Sequence, residues 1–329
     1  MDLARMLEMC RRDQWRVDDL DWTQRLRPMS ADHEVAIVQY FTDMAGIELL
    51  AGALFEEQRR RVKDPTLRQI FATFVADEKR HSEAAARLAR FYDVRKLREY
   101  RQSPALQRFF PHFLRAISLL SDDVANEYIL GGELILDVAL LRSIDDYVAD
   151  EMSAQAMRLI NRDESRHIAI DYHMAEYYQS SEYAAAVSAR RTPVRQRAMA
   201  WWTMTNVLFH AKPFFQDVFF EPMERLDPQG ARLKEAFRRM ELVMAKRGRS
   251  GPPFARFMAA MKNLYNRPIA GRIFGGLASR IVGVDARFME RLASDAEWAR
   301  AAGLTFDELA QEALAAKSSR AMPGARLKN

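Results

Sequence analysis

The sequence predicts an all-α fold, built as a four-helix bundle with one crossover connection and additional helices towards the C-terminus. Two observations support this prediction. The 329 residues include only 13 glycines and 12 prolines, fewer turn residues than a β-sandwich or barrel of this length requires. Apolar residues recur at spacings of three and four in two pairs of segments that a longer connection separates, which is the layout of such a bundle.

The four bundle helices begin at recognisable signals. Ser30 is a suitable N-cap for the first helix, and Pro65 suits the first turn of the second. We expect residues 93–111 to form a longer, partly helical connection. Two further helical runs are predicted at about 113–153 and 154–180.

These elements divide the chain into four parts. We expect an N-terminal helical segment at 1–29, the bundle at 30–185, a helical extension packed on the bundle at 186–315, and a flexible tail at 316–329. Prolines scattered beyond Thr192 are expected to divide the extension into short helices.

The composition excludes several classes of protein. Hydrophobic residues make up 49% of the chain, enough for a sizeable core, and the low glycine and proline content excludes collagen-like and disordered chains. The net charge of +5 suits an acidic partner without requiring one. The single cysteine, Cys10, cannot form an internal disulfide, which favours a reducing compartment. We therefore expect a cytoplasmic protein.

No segment is expected to span a membrane. The first residues lack the apolar core of a signal peptide. The apolar stretch Ile129–Leu141 is about half as long as a membrane span and contains two acidic residues. The aromatic-rich stretch Trp201–Phe220 is interrupted by charged residues and a proline.

A repeated pentapeptide is the sharpest signal of function. Asp77-Glu78-Lys79-Arg80-His81 recurs 86 residues later as Asp163-Glu164-Ser165-Arg166-His167. On a helix, a glutamate and a histidine three residues apart project from the same face, one turn apart. A carboxylate and an imidazole so placed can bind a metal ion together. Two such pairs, with one further glutamate from each of the other two helices, form the ligand set of a dinuclear metal site.

The two further glutamates are predicted at matching positions. Glu48 lies 30 residues before Glu78, and Glu133 lies 31 residues before Glu164. Each stands in the middle of an apolar helical stripe. One pair alone would be typical of a solvated helix face, and a single glutamate in an apolar stripe is often a misjudged helix phase. Together they favour a metal site, because burying all these groups without a cation would be too costly.

The sequence leaves some alternatives open. Glu56 and Glu57 are rivals to Glu48 as the ligand from the first helix. Asp77 and Asp163 are expected either to accept hydrogen bonds from the metal-binding histidines, each serving the histidine of the opposite pair, or to be ordinary surface residues. Asp137 and Asp171 lie one turn beyond Glu133 and His167, where they could be extra ligands, hydrogen-bond partners of the ligands, or solvated groups.

At these residues the sequence resembles the ferritin-like di-iron carboxylate oxidases and oxygenases. The pattern Glu48, Glu78-x-x-His81, Glu133 and Glu164-x-x-His167 is similar to the ligand set of that superfamily, and the resemblance covers about residues 30–180. The Asp-Glu-Lys-Arg-His string is similar to the corresponding helix of soluble acyl-carrier-protein desaturases. The length and the helical extension also suit N-oxygenases similar to p-aminobenzoate N-oxygenase.

Departures from these families limit the assignment. The N-oxygenases carry an additional histidine ligand at the position of Ile160, and His173 lies on a different helical face. The ribonucleotide reductase small subunit has aspartate as its first ligand, where this chain has Glu48. The motifs are therefore specific for the metal site and not for the substrate.

The resemblance implies a ferritin-like bundle with two bound iron ions, or one iron and one manganese, and O2 as co-substrate. It also implies an external electron donor, a ferredoxin or a reductase, and a homodimer. We expect hydroxylation or N-oxygenation of an apolar or aromatic small molecule. The alternatives are a desaturase that acts on an acyl chain, which an acidic carrier protein could present, and a non-enzymatic metal-binding protein.

Three other features bear on the substrate. Gly131 and Gly132 are unusual within a helix, and could open space for substrate, let the helix distort, or allow close helix packing. The aromatic stretch Trp201–Phe220 and a second group around Phe257–Phe274 could line an apolar channel or simply form core. Basic clusters could dock an acidic carrier protein or be solvated, and they lie at residues 59–61, 95–101, 190–197 and 238–249. No nucleic-acid-binding motif is present.

Overall fold

A computed structural model describes residues 1–96, 100–119, 121–189, 193–248, 251–282 and 284–318. These residues form an all-α structure without β-strands, as the sequence predicts. Most of the predicted tail, residues 319–329, lies outside the described residues. So do parts of the basic clusters at 95–101, 190–197 and 238–249.

The first pair of bundle helices follows the sequence prediction closely. Helix α1 (Leu3–Arg12) precedes α2 (Ala31–Arg61) and α3 (Pro65–Tyr92), which pack along each other. Ser30 caps α2 by accepting a hydrogen bond from the amide of His33 at 3.2 Å. Asp64 caps α3 through the amides of Thr66 and Leu67, and Pro65 occupies the first turn.

The helices of the second pair have different bounds from those that the sequence predicts. The run predicted at 113–153 is two helices, because α4 (Pro104–Ile117) ends before α5 (Asp122–Glu133) begins. The acidic residues at the start of α5 contact residues of other helices. Arg61 pairs with Asp122 at 2.8 Å, and Tyr183 donates a hydrogen bond to Asp123 at 3.0 Å. Helix α4 connects the two halves of the bundle and packs on α2.

A π-helical segment, Leu134–Leu140, continues α5 directly into α6 (Leu141–Val148). Ala149 then ends α6 in the left-handed conformation, with φ of 51°. The fourth bundle helix, α7 (Glu151–Tyr178), begins three residues earlier than predicted, because Asp150 caps it through the amide of Ser153 at 2.9 Å.

The extension is helical, as predicted. Its helices are α8 (Ser181–Ala189), α9 (Val194–Phe215), a π-helical segment (Gln216–Phe220), α10 (Glu221–Leu226), α11 (Ala231–Arg247), α12 (Pro253–Tyr265), α13 (Pro268–Val282), α14 (Ala286–Met289), α15 (Asp295–Gly303) and α16 (Phe306–Ser318). Helix α9 packs on α4, α11 on the first π-helical segment, and α16 on α7. Residues 316–318, which the sequence places in the tail, continue α16.

One described helix, α2, is long and apolar enough to cross a membrane by length and composition alone. Half of its most apolar window is buried inside the protein, and it carries the buried acids Glu34, Asp43 and Glu48. These are features of the core helix of a bundle, and α2 packs in this way against α3.

Candidate metal centre

The six residues predicted as ligands lie together between the four bundle helices. Glu48 is in the middle of α2, Glu133 is the last residue of α5, and α3 and α7 each contribute one Glu-x-x-His pair. Every one of the six side chains is buried, with at most 3% of its surface exposed. Helical periodicity accounts for this convergence, because each glutamate occupies a position of the stripe that its helix turns towards the core.

The two histidines face the glutamates of the pentapeptide repeat. Glu164 places one carboxylate oxygen 3.0 Å from Nδ1 of His81 and the other 2.8 Å from Nδ1 of His167. Glu78 does the same at longer range, 3.7 Å from Nδ1 of His81 and 3.2 Å from Nδ1 of His167. Each of the two carboxylates therefore spans both histidines.

The possible ligand atoms form two groups, and within each group they lie within 4.8 Å of one another. Glu78 and Glu164 belong to both groups. Glu48 and His81 complete the first, and Glu133 and His167 complete the second. This buried cluster could hold metal ions, with two shared carboxylates and one carboxylate and one imidazole at each end.

These ligand atoms lack hydrogen-bond partners, which fits a bound cation. Nδ1 of both histidines and both carboxylate oxygens of Glu48, Glu78 and Glu164 are buried without a hydrogen-bond partner of acceptable geometry. Buried carboxylates without partners are costly, and a divalent cation offsets that cost. The donor set therefore fits bound metal ions.

The protonation of the cluster points the same way. Burial, reinforced by repulsion from neighbouring carboxylates, raises the pKa of Glu48 and of Glu133 well above the ordinary value. Burial alone would lower the pKa of His81 and His167, but their interactions with the surrounding carboxylates raise both well above the ordinary value. Without a cation, protons must therefore balance the charge of the cluster.

Asp77 and Asp163 contact the two histidines at Nε2, the ring nitrogen that does not face the glutamates. Nε2 of His81 lies 3.2 Å from Oδ2 of Asp163, and Nε2 of His167 lies 3.5 Å from Oδ2 of Asp77. Each aspartate thus serves the histidine of the opposite pair, which is the first of the two alternatives that the repeat suggests. A carboxylate only accepts hydrogen bonds, so Nε2 must carry the hydrogen, and Nδ1 is left to face the glutamates.

The arginines of the repeat neutralise these aspartates. Arg166 donates to Asp163 at 2.5 Å, and Arg80 pairs with Asp77. Burial alone would raise the pKa of Asp163, but the hydrogen bonds from His81 and Trp15 and the charge of Arg166 lower it. The carboxylate therefore stays ionised.

The N-terminal segment supplies two contacts that sequence reasoning missed. The indole nitrogen of Trp15 donates to Asp163 at 2.6 Å, and the amide of Gln14 donates to Asp77 at 3.1 Å. This segment covers the aspartate side of the cluster. Neither residue lies in a periodic pattern or a motif, so no signal in the sequence could have identified them.

The rival and additional ligands of the sequence analysis do not join the cluster. Glu56 and Glu57 pair with the arginines at 59–61. Asp137 and Asp171 are buried but belong to neither of the two groups found among the described residues.

Asp137 has a separate partner at the end of the chain. The ammonium group of Lys317 lies 3.1 Å from Oδ2 of Asp137 and also donates to Ser165 and to the carbonyl of Asn161. Burial raises the pKa of Asp137 to about 7, although Lys317 lowers it. Lys317 lies in the predicted tail, and no sequence pattern indicated that it is buried.

An apolar cavity of about 230 Å³ adjoins the cluster. Glu133 contributes to its wall, together with apolar side chains such as Leu50, Phe113 and Met258. A small molecule in this cavity would lie beside a predicted ligand.

Gly131 and Gly132 also line the cavity. A Cβ at Gly131 would meet only the end of Met240, at 3.7 Å, and one at Gly132 would meet nothing within 4 Å. Close helix packing is therefore not the reason for these glycines. The space beside them belongs to the cavity, and the helix changes to π-helical form immediately afterwards.

The aromatic stretch at 201–220 divides between two environments. Phe214, Phe215 and Phe219 line the cavity, whereas Trp201 and Trp202 are exposed. Leu208, in the first half, also lines the cavity and Val207 is buried, so the prediction of a channel or a core applies to the inward-facing residues of the stretch and not to the exposed ones.

The chain matches no protein-family model and no curated protein.

Proposed function

We propose that the protein is an O2-dependent, non-haem di-iron oxygenase or oxidase that hydroxylates or N-oxygenates an apolar or aromatic small molecule. One observation carries the proposal. Two groups of buried glutamate and histidine donors share Glu78 and Glu164, and an apolar cavity lies beside Glu133. The first feature suits a pair of metals, and the second suits an apolar substrate next to them.

The chemistry of the donors favours iron, or iron with manganese. Four carboxylates and two imidazoles form a hard, oxygen-rich set with few strong nitrogen donors, and no cysteine lies among them. When bound, the two metals would supply the activation of O2, which no side chain of this chain can provide. Electrons would come from an external donor, a ferredoxin or a reductase.

The side chains around the cluster have distinct tasks in this proposal. Asp77 and Asp163 hold the imidazoles in the orientation and tautomer that direct Nδ1 to the metals. Trp15 covers Asp163 from the N-terminal side. The apolar wall of the cavity excludes water and orients a substrate by shape.

Two alternatives make different predictions for the same experiment. An apolar cavity also accepts an acyl chain, so acyl desaturation is the second candidate. A metal-storage protein would need the cluster but no cavity beside it, so the cavity favours an enzyme.

The test is to load the protein with Fe(II) without oxygen, measure iron per chain, and then follow O2 consumption with aromatic amines, arenes and acyl substrates. We expect about two irons per chain. A product that has gained oxygen supports the proposal, and a product that has lost two hydrogens supports desaturation. Iron that accumulates far beyond two per chain without product indicates storage.

A matched pair of variants links the outcome to the cluster. E78Q replaces a shared carboxylate, whereas E83Q makes the same change at an exposed position of the same helix. We expect E78Q to lose iron and O2 consumption and E83Q to retain both. A folded wild-type protein that binds no iron after reconstitution would refute the proposal.

A further inference from the structure

Exposed apolar side chains are concentrated on three helices of the extension. Among the described residues, 18 large apolar side chains are exposed, and 11 of them lie between Val194 and Ile281. The exposed fraction is 75% for Trp201, 76% for Phe209 and 78% for Ile269. Large exposed apolar patches mark interaction sites in soluble proteins.

The exposed residues follow helical spacing. On α13, Ile269, Ile273 and Leu277 recur every four residues and form one stripe. On α9, Trp202 and Phe209 lie seven residues, or two turns, apart. Helix α13 packs on α12 and contacts α9, so these stripes lie on adjoining helices. We call the exposed faces of α9 and α13 the α9–α13 surface.

The charge of this region has one sign. Residues 183–216 and 242–284 contain no aspartate or glutamate, although the whole chain has 45 acidic residues. Arginines are exposed beside the apolar stripes, at Arg195 and Arg197 on α9 and at Arg272 and Arg280 on α13. The α9–α13 surface therefore combines apolar and aromatic residues with positive charge only.

We propose that the α9–α13 surface docks on an anionic lipid bilayer. Tryptophan and aliphatic side chains insert at the boundary between headgroups and acyl chains, while arginines bind anionic headgroups. Protruding side chains such as Trp202 and Ile273 need no complementary pocket in a bilayer. This inference goes beyond the proposed function and does not depend on the metal centre.

Charge argues against a second copy of the chain as the occupant. A two-fold contact brings the same patch of each copy together, and here it would place arginines against arginines. A soluble acidic protein would match the arginines, but it would need pockets for the protruding apolar residues.

The same helices also line the cavity. Leu208 and Phe214 of α9 and Met258 of α12 form part of its wall, and Val282 lies at the end of α13. Docking would therefore place a bilayer beside the helices that enclose the apolar cavity. A lipid-soluble compound could then pass from the bilayer to the cavity without crossing water.

The test is flotation of the full chain with vesicles of phosphatidylglycerol and phosphatidylcholine in equal parts, compared with vesicles of phosphatidylcholine alone. We expect binding to the anionic vesicles that is at least about tenfold stronger. The variant W202S/F209S/I273S/L277S should lose about tenfold or more of that binding. The control V94S/L114S/Y177S/V187S, which changes four exposed apolar residues elsewhere, should bind as the wild type does.

A second variant tests the proposal even if the quadruple variant does not fold. R272Q/R280Q removes two exposed charges, and we expect it to weaken binding to anionic vesicles and to remove most of their advantage over neutral ones. Equal binding by wild type and both surface variants would overturn the proposal. Failure of the wild type to bind either kind of vesicle would also overturn it. If that wild type is a dimer by light scattering and the quadruple surface variant is a monomer, the surface is instead an interface between two copies of the chain.

Discussion

Two glycines in the bundle allow a sharp test of how closely the helices approach at the candidate metal centre. Gly52 on α2 faces Glu78 on α3, and a Cβ at position 52 would lie 3.2 Å from the Cβ of Glu78. Gly132 on α5 faces the cavity, and a Cβ there would meet nothing within 4 Å. The variants G52A and G132A therefore make the same chemical change in tight and in open surroundings.

The expected magnitudes follow from this difference. Both residues lie within helices, so alanine gains about 1 kcal/mol of intrinsic helix propensity at either position. At position 52 the close contact joins two β-carbons, which cannot rotate away, and α2 must move from α3. Overpacking of this kind costs about 1–3 kcal/mol. We expect G132A to be more stable than the wild type by about 1 kcal/mol and G52A to be as stable or less stable.

Urea denaturation of the metal-free proteins measures the stability, and metal analysis after reconstitution measures the centre. We expect G52A to bind metal more weakly as well, since Glu78 belongs to both groups of ligand atoms. G132A should bind metal as the wild type does. If G52A gains as much stability as G132A and keeps full metal content, the helices do not approach as closely at Glu78 as described.

Three further predictions concern the surroundings of the cluster. D163N should weaken metal binding about 10–100-fold in a chelator competition, because His81 loses the carboxylate that orients it; unchanged affinity would contradict this role. K317M should destabilise the protein more at pH 8 than at pH 5 in urea denaturation, while K63M, at an exposed lysine, should show no such difference. The pKa of Asp137 is raised to about 7 in the folded protein, so stability falls as pH rises, and loss of Lys317 enlarges that fall. Metal binding should release protons and strengthen as pH rises, because the pKa of His81 and of His167 is raised; calorimetry in buffers of different ionisation enthalpy measures the release.

The candidate site was predictable from sequence where it rests on helical periodicity. A glutamate and a histidine three residues apart must share a helix face, and the apolar stripe around Glu48 and Glu133 turns each towards the core. The pairing of each aspartate with the opposite histidine follows from the symmetry of the repeat. Local rules of this kind need no knowledge of distant contacts.

The unpredicted features depend on contacts between distant segments. Trp15 contacts Asp163 and Lys317 contacts Asp137, each from a segment outside the bundle, and no local pattern distinguishes the two residues from surface residues. The break between α4 and α5 was missed because the pairing of Asp122 with Arg61 cannot be read from spacing. The π-helical segment has no sequence signature, and only the two glycines before it indicated an irregular helix.

The contact between Trp15 and Asp163 has a consequence for the order in which the protein is made. The two residues are 148 positions apart, so the N-terminal segment is synthesised long before its partner. Closing so long a loop costs entropy that only the packed bundle can repay. The contact can therefore form only after α7 has been made, and until then Trp15 cannot cover the aspartate side of the cluster.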